Sequence, residues 1–322
     1  MRVVVTGANG FVGRPVCQKL ASDGHEVVAL TRREPGVETS GVRQVTFAGG
    51  LSNALAGADA LVHLAARAHV LNGKEAEAEA ARVNIDLTVS LAEAALRAGL
   101  KRFIFVSSIK VNGEQTDGLP FSPSMRPAPL DGYGRSKARA EELLRSIAGS
   151  KLEVVILRPP LMYGPGLKGN FARLFALADR GIPMPFGNVK NSRDILAVDT
   201  FADLIGLVVR HPAAAGRTFL VRDGRAVSTP ELFGAIARSL GRSARIFPVP
   251  NVMLRLAGAM TGRSDEIQRL IGNLEIDDGE TRDVLQWSPP ANMEATLRET
   301  ADWWKLRRKL SLAQESSRSL AD

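Results

Sequence analysis

The chain has 322 residues, enough for one large α/β domain or two ordinary ones. Hydrophobic residues make up 45% and charged residues 24%, which excludes a largely disordered or collagen-like chain. The single cysteine, Cys17, excludes an intrachain disulfide framework, and the four histidines fit neither zinc-finger nor HExxH spacing. We therefore predict no metal site.

Charge and targeting signals bear on the partners of the chain. The 42 basic residues exceed the 34 acidic ones, so the net charge is +8. The basic residues are spread along the chain, aromatic residues make up only 5%, and no nucleic-acid-binding motif is present, so we expect no nucleic-acid partner. The beginning MRVVVTG is not a secretory signal, and no apolar run reaches the roughly 18 residues of a membrane span. These features predict a cytoplasmic protein without membrane insertion.

Short β-rich runs alternate with helical patterns through the first half of the chain. Strands are predicted at residues 2–6, 26–30, 43–47, 60–64, 103–107 and 153–158, and helices at 82–98 and 135–148. Several of these strands are almost wholly apolar, which is typical of strands covered by helices on both faces. The pattern predicts an α/β fold with a Rossmann-type doubly wound parallel sheet.

Pro and Gly become dense after residue 160, and the alternation of strands and helices loosens. We predict a dinucleotide-binding domain at residues 1–160 and a smaller C-terminal substrate-binding lobe that comprises mainly residues 161–310. Segments around residues 198–221 belong either to this lobe or to the main sheet. The polar tail at residues 311–322 is predicted to fray.

A glycine-rich turn, TGANGFVG at residues 6–13, directly follows the first predicted strand. Its glycines suit a tight turn, close approach of a pyrophosphate, and close packing of helix on strand. The alternative is an ordinary strand–helix turn. The predicted dinucleotide-binding residues of the turn are Gly7, Asn9, Gly10, Phe11, Val12 and Gly13.

The second predicted strand ends in Leu30-Thr31-Arg32-Arg33, where an NAD enzyme usually presents a carboxylate to the ribose 2′-OH. A hydroxyl followed by guanidinium groups suits a 2′-phosphate, because arginine forms charge-assisted bidentate hydrogen bonds. We therefore favour NADP(H) over NAD(H), with Thr31 and Arg32 binding the cofactor. The alternative is that the arginines are solvated loop charges.

Tyr133 and Lys137 lie four residues apart at the start of a predicted helix, and so on one face. A nearby ammonium favours phenolate and is expected to lower the phenol pKa from near 10 toward the range of a general acid/base. The motif follows a strand that ends in Ser107-Ser108, and parallel strands deliver polar side chains to the ligand crevice at their carboxyl ends. The alternative for the two serines is strand-end capping.

These motifs, together with HLAA at 63–66, Asn84, FVSSIKVNG at 105–113 and RPPLMYGPG at 158–166, resemble the extended short-chain dehydrogenase/reductase family. The resemblance covers about residues 1–305. Within the family it is strongest to NAD(P)-dependent nucleotide-sugar epimerases, dehydratases and reductases, particularly a bacterial group of surface-polysaccharide synthesis that acts at C4 of UDP-linked sugars. It implies a nucleotide-sugar substrate and a homodimer.

The resemblance also implies roles for individual residues. Tyr133 would be the acid/base, Lys137 its activator and a nicotinamide-ribose ligand, and Ser108 would polarise the sugar oxygen. The further cofactor-binding residues that it implies are Leu64, Ala65, Ala66, Asn84 and Pro160. The implied substrate-binding residues are Ser108, Lys110, Asn170, Phe171, Arg193 and Arg269, with Arg263 as the alternative to Arg269.

Some positions depart from the family pattern. The stretch FAGGL at residues 47–51 lacks the Asp that holds adenine in many relatives. Leu161 replaces the Asn of the RPxN segment, and Asn112 replaces the Tyr that follows the serines. These changes leave the identity of the sugar open.

The sequence favours a 4-keto-sugar reductase that uses NADPH, with Tyr133 donating the proton to the C4 oxygen. A UDP-sugar 4-epimerase using the same residues is the close alternative. Dehydratase chemistry is disfavoured, because Ile109 and Lys110 stand where that branch has acidic residues. An alternative of another class is a non-catalytic dinucleotide-binding regulatory protein.

Overall fold

The computed structural model describes residues 1–32, 41–47, 50–67, 74–290 and 292–319; the side chains of residues 74–77 and 311–319 are outside this description. The strands of this part of the chain are β1 (Arg2–Thr6), β2 (Glu26–Thr31), β3 (Val42–Thr46), β4 (Ala60–His63), β5 (Arg102–Val106), β6 (Glu153–Arg158), β7 (Leu161–Tyr163), β8 (Ile195–Ala197) and β9 (Thr218–Leu220). The helices are α1 (Gly13–Ser22), α2 (Leu51–Leu55), α3 (Lys74–Arg97), α4 (Gly132–Ala148), α5 (Gly169–Asp179), α6 (Val198–Val208), α7 (Thr229–Ser239), α8 (Asn251–Met260), α9 (Ser264–Ile271), α10 (Gly279–Leu285) and α11 (Met293–Ser319).

Seven of these strands form one parallel sheet in the order β3-β2-β1-β4-β5-β6-β9. Val4 of β1 lies opposite Val28 on one side and Leu61 on the other, which sets the register. The predicted Rossmann-type sheet is confirmed. The strand order reverses between β1 and β4, and in such sheets ligands bind outside the carboxyl ends of the strands at this reversal.

Both faces of the sheet are covered. Val4, Leu61 and Phe103 belong to a buried cluster shared with side chains of α3 and α4. Val3 and Val5 point to the opposite face, because side chains alternate along a strand, and they are equally buried. This double burial explains why the strands read as continuous apolar runs.

The chain divides into two compact units. The first comprises Met1–Pro160, Val198–Arg222 and Leu274–Pro289; the second comprises Leu161–Ala197, Asp223–Asn273 and Pro290–Asp322. In the first unit, β9 pairs with β6, and Lys19 of α1 forms an ion pair with Asp203 of α6 at 3.3 Å.

The second unit contains the parallel pair β7–β8 together with α5, α7, α8, α9 and α11. Trp304 of α11 packs on Phe175 of α5, with ring centres 5.8 Å apart, and donates a hydrogen bond to Asp179. The backbone of α11 is helical to Ser319, and fraying of residues 311–322 stays a prediction.

Two helix starts differ from their predicted positions. α3 begins at Lys74 rather than at residue 82, because KEAEAEAA at 74–81 consists of strong helix formers. α4 begins at Gly132 rather than at residue 135, because the Asp131 carboxylate accepts a hydrogen bond from the Gly134 N–H at 2.7 Å and caps the helix. Of the helices in the described part of the chain, none has the length and apolarity of a membrane span.

Candidate active site

The glycine turn after β1 is compact enough to exclude side chains. Gly7 has a φ of 72°, and the Gly10 N–H donates to its carbonyl at 2.9 Å. A Cβ on Gly13 would lie 2.1 Å from the Gly7 oxygen, and one on Gly7 would lie 2.9 Å from the Ala65 nitrogen. Each clash is with backbone, so the turn depends on glycine to bring α1 and the loop after β4 close to β1.

A buried histidine joins the ends of β1 and β4. His63 Nδ1 lies 2.7 Å from the Thr6 hydroxyl, and Nε2 lies 3.1 Å from the Thr88 hydroxyl. Thr88 donates to the Asn84 carbonyl, so its oxygen accepts the proton of Nε2, and Nδ1 accepts from Thr6. Burial and the nearby Lys137 lower the His63 pKa to about 3. His63 is therefore a neutral structural link between the two strands.

Asn84 orders the loop after β4. Its side-chain oxygen accepts from the Arg67 N–H at 2.7 Å, and its amide donates to the Arg67 carbonyl at 3.3 Å. This clamp holds the loop that contains the predicted cofactor residues Leu64, Ala65 and Ala66. Since both polar groups of the Asn84 side chain bind Arg67, the structure gives Asn84 a positioning role, and its contact with a cofactor stays a prediction.

The end of β2 carries the residues predicted to select the cofactor. Thr31 is buried, with its hydroxyl 3.5 Å from the Val45 carbonyl, and Arg32 is exposed. Arg33 lies outside the described residues, as do residues 48–49 of the FAGGL stretch. An exposed guanidinium at this strand end is compatible with a 2′-phosphate ligand.

The predicted catalytic residues lie at the end of β5 and the start of α4. Ser108 caps a short 3₁₀ helix, Ile109–Val111, and its hydroxyl accepts from the Lys110 N–H at 3.3 Å. Tyr133 is in the first turn of α4. Lys137 donates to the carbonyl of Val106 at 2.8 Å, and its ammonium lies 5.9 Å from the centre of the Tyr133 ring. The carbonyl of Val106, two residues before Ser108, thus fixes the position of the Lys137 ammonium.

The pKa values of this pair correct the expectation from the sequence. Burial and the Asp131 carboxylate raise the Tyr133 pKa to about 12, and burial lowers the Lys137 pKa to about 7 against the opposing effect of Glu141. The sequence predicted that the ammonium would lower the phenol pKa. Desolvation outweighs this attraction, because Lys137 itself is desolvated and donates to the Val106 carbonyl. The neutral phenol, a proton donor, is therefore the stable form.

Titration of the phenols tests this correction directly, because the chain has only two tyrosines. Burial raises the pKa of Tyr163 as well, with Asp223 adding to the effect. We expect no phenolate absorbance from the ligand-free protein until the pH exceeds about 11. An absorbance step between about pH 7 and 9 that is missing from Tyr133→Phe would contradict this expectation.

Lys110 joins the 3₁₀ helix to the start of α4. Its ammonium pairs with the Asp131 carboxylate and lies 2.8 Å from Glu114. Burial alone would raise the pKa of Asp131, but the hydrogen bond from Lys110 holds it below its usual value. Lys110 was predicted to face the substrate. The structure places it in ion pairs with Glu114 and with Asp131, two residues before Tyr133 in the chain, and its substrate contact stays a prediction.

A buried network that the sequence analysis missed lies behind the serines. The Ser107 hydroxyl donates to Glu141 at 2.6 Å, and Arg158 donates to both Glu141 oxygens at 2.9 and 2.6 Å. Arg158 also donates to Asn112, whose amide donates to the Ser122 carbonyl. Glu141 and Arg158 are nearly inaccessible to solvent. The network fixes the chain on both sides of Ser108.

A sequence signal for part of this network exists. Glu141 follows Lys137 by four residues and Tyr133 by eight, so the three side chains share one face of α4. A carboxylate on the face that carries Tyr133 and Lys137 therefore marks a buried ion-pair partner.

The predicted substrate residues of the second unit differ in accessibility. Asn170 is exposed in the first turn of α5, whereas Phe171 is fully buried and stacks on Tyr163 with ring centres 5.6 Å apart. Arg193 donates to the Gly272 carbonyl at 2.9 Å, and Arg269 is part-buried in α9. The Phe171 ring is thus a packing group, and any substrate contact there would use its backbone.

The comparisons with known proteins decide the family. Residues 3–221 match the NAD dependent epimerase/dehydratase family. The chain belongs to this family. A UDP-glucose 4-epimerase from Vibrio cholerae is 40% identical over 308 residues, which covers 93% of this chain and 94% of the relative. The resemblance stated from the sequence motifs is therefore confirmed, and the chain is an enzyme of the NAD-dependent epimerase/dehydratase family.

Solved structures of similar fold span nearly the whole chain. MoeE5 in complex with UDP-glucuronic acid and NAD is 26% identical, with a TM-score of 0.77 over 95% of this chain and 100% of that chain. The UDP-glucose 4-epimerase of Thermotoga maritima, solved with UDP-glucose, has the same TM-score of 0.77 at 23% identity and covers 96% of this chain and 100% of its own. The latter likeness establishes the shared fold.

The first unit of this epimerase/dehydratase-family enzyme fits a dinucleotide. The glycines let the backbone of β1, of α1 and of the loop after β4 pack closely at the turn, and α1 begins at its end, so N–H groups are available to a pyrophosphate. The residues that would hold the cofactor are the glycine turn, Arg32 and the loop ordered by Asn84. The individual contacts, including that of the buried Pro160, stay predictions.

Proposed function

We propose that this family member transfers hydride and a proton at C4 of a UDP-linked sugar, with Tyr133 as the acid/base. The observation that carries the proposal is the arrangement at the end of β5. There the carbonyl of Val106 holds Lys137, Tyr133 lies one turn earlier in α4, and Ser108 begins the following 3₁₀ helix. Strand ends of this kind face the ligand crevice of a doubly wound sheet.

Each residue of this arrangement has a role in the proposed chemistry. Bound NAD(P) would supply the hydride acceptor and donor. Ser108 donates a hydrogen bond to the C4 oxygen, and Tyr133 exchanges the C4 hydroxyl proton. Lys137 orients the cofactor ribose and stabilises the phenolate. The Glu141–Arg158 pair holds Ser107 and the turn after it in place.

The 4-epimerase reaction is the first candidate, because the 40% identical Vibrio cholerae relative is a UDP-glucose 4-epimerase. In this reaction Tyr133 has to be deprotonated beside the Lys137 ammonium and the oxidised cofactor before it takes the C4 proton, and it returns this proton after the keto sugar has turned. A 4-keto-sugar reductase, the reaction favoured by the sequence, is the second candidate. The exposed Arg32 supports it, since it suits a phosphorylated cofactor.

Incubation with UDP-sugars and UDP-4-keto sugars, with and without NADPH or NADH, distinguishes these reactions when the products are identified by NMR. Inversion at C4 without net consumption of cofactor indicates an epimerase. Consumption of one NAD(P)H for each 4-keto sugar indicates a reductase. Absence of turnover with all these substrates would overturn the proposed chemistry at C4 of a UDP-linked sugar.

Cofactor choice gives a separate prediction. Arg32→Ala is expected to weaken NADPH binding by about tenfold or more and NADH binding much less, because a charge-assisted contact with the 2′-phosphate contributes about 1.5–3 kcal/mol. Isothermal titration with both cofactors measures the difference, and Arg97→Ala on the exposed surface of α3 is the matched control. Equal losses for the two cofactors would contradict the assignment of Arg32.

The family resemblance also leads us to propose a homodimer formed through α3 and α4. Sedimentation velocity tests it, and a monomer at micromolar concentration would contradict it. A cytoplasmic location and a role in surface-polysaccharide synthesis remain predictions from the sequence.

A further inference from the structure

Helix α8 presents an apolar surface to solvent. Among the described residues, its exposed side chains include Val252 at 67%, Met253 at 59%, Leu256 at 58% and Met260 at 87%. Phe247, just before the helix, is 45% exposed. Large apolar side chains concentrated in this way mark an interaction site, whereas single exposed ones do not. We define the α8 patch as Phe247, Val252, Met253, Leu256 and Met260.

The patch is built on a firmly packed helix. At 3.6 residues per turn, the four exposed side chains of α8 fall within an arc of about 100°. The opposite side carries Leu254 and Gly258, which are buried. Leu254 packs with Phe186 and Ile271, and a Cβ on Gly258 would lie 3.0 Å from Ile267 of α9. The apolar residues are therefore displayed on a helix whose other face is fixed.

The segment that carries the patch is basic. Residues 241–264 contain four arginines and no Asp or Glu: Arg242, Arg245, Arg255 and Arg263. Arg242 pairs with Asp179, and the exposed Asp265 and Glu266 follow the segment. Arg245 and Arg255 are exposed. A second copy of this chain that docked through the same patch would bring these two sets of arginines together, which like-charge repulsion disfavours.

We infer that the α8 patch docks on an anionic phospholipid membrane. An exposed apolar helix face flanked by arginine is the pattern of a helix that lies in the membrane interface. Arginines near such a surface are attracted to anionic headgroups, and the apolar side chains enter the boundary between headgroups and acyl chains. The net charge of +8 favours the same partner.

This docking differs from spanning. A helix of ten residues rises about 15 Å, half of the roughly 30 Å hydrocarbon core, so α8 lies on the membrane and does not cross it. The inference refines the sequence-based expectation of no membrane insertion. It is independent of the proposed catalytic chemistry, because neither the patch residues nor Arg245 and Arg255 are placed in the catalytic, cofactor or substrate site.

Flotation of the protein with lipid vesicles tests the inference. We expect binding to vesicles of phosphatidylcholine mixed with phosphatidylglycerol and little binding to phosphatidylcholine alone. Raising the salt concentration should weaken binding, because ions screen the attraction between the arginines and the headgroups. No binding to the anionic vesicles at low salt would overturn the inference and leave the patch to a protein partner.

Two pairs of substitutions separate the apolar and the charged contributions. Leu256→Ser/Met260→Ser is expected to weaken partitioning by about tenfold or more, whereas Leu119→Ser/Leu130→Ser removes two exposed leucines elsewhere and should have little effect. Arg245→Gln/Arg255→Gln is expected to weaken binding about fivefold for each arginine at low salt. Its control, Arg97→Gln/Arg139→Gln, removes the same charge from the surfaces of α3 and α4. Equal losses in variants and controls would contradict a local docking surface.

A fluorescent label reports the position of the patch. Cys17 is buried and its pKa is raised to about 12, so a cysteine introduced by Met260→Cys can be labelled selectively. The fluorescence of an environment-sensitive dye there should shift to the blue on anionic vesicles, and that of the same dye at Leu119→Cys should not.

Sedimentation velocity tests self-association through the same patch. A dimer that Leu256→Ser/Met260→Ser converts to monomer would overturn the inference in favour of self-association.

Discussion

Tyr133→Phe is expected to lower turnover by about 10² to 10⁴ while the fold and the cofactor affinity persist. The substitution keeps the aromatic ring and removes only the hydroxyl that exchanges the proton. With the Tyr133 pKa raised to about 12 and Lys137 held by the Val106 carbonyl, the phenol is positioned and neutral in the ligand-free protein. No group replaces its proton in the variant, so the loss falls on kcat.

The other tyrosine provides a matched control. Tyr163 is fully buried and donates to Asp223 at 2.6 Å, so Tyr163→Phe should lower the free energy of unfolding by about 1.5–3 kcal/mol and leave kcat nearly unchanged. Steady-state kinetics with a UDP-sugar, cofactor titration and thermal unfolding separate the two effects.

Lys137→Met should combine lower turnover with weaker cofactor binding. Near wild-type turnover by Tyr133→Phe would show that the four-residue spacing of Tyr133 and Lys137 is accidental.

The Glu141–Arg158 pair carries the largest expected effect on stability. Glu141→Leu leaves the Arg158 guanidinium buried without its carboxylate, which typically costs about 3–5 kcal/mol. The double substitution Glu141→Leu/Arg158→Met removes both charges and should recover much of this loss, because no uncompensated charge remains. Denaturant unfolding of the two variants measures the difference.

An exposed ion pair on the same helix controls for the loss of a carboxylate. Arg139 and Glu142 lie 2.6 Å apart with both side chains more than half exposed. Glu142→Leu is therefore expected to change the free energy of unfolding by less than about 1 kcal/mol. Similar losses for Glu141→Leu and Glu142→Leu would contradict the assignment of the buried pair as a stabilising unit.

Local sequence signals predicted strands β1 to β6, the glycine turn and the placement of Tyr133 and Lys137 on one face of α4. These features depend on signals within a few neighbouring residues: apolar runs for strands, glycine for the turn after β1, and four-residue spacing for Tyr133 and Lys137. The predicted start of a helix was less accurate where a capping side chain determines the first residue. Asp131 caps α4 through a side-chain hydrogen bond, and the apolar pattern that predicted this helix contains no such signal.

Which polar groups are buried together becomes visible only in the folded chain. Ser107 meets Glu141 across 34 residues and Arg158 meets Asn112 across 46, separations over which sequence spacing carries no information. The sequence also does not give the direction in which the Tyr133 pKa shifts, since desolvation depends on every group packed around the phenol. Nor does it give the exposure of α8, whose apolar residues resemble those of a core helix. Whether a side chain is covered depends on what the rest of the chain places against it, and this decides both its energy and its role.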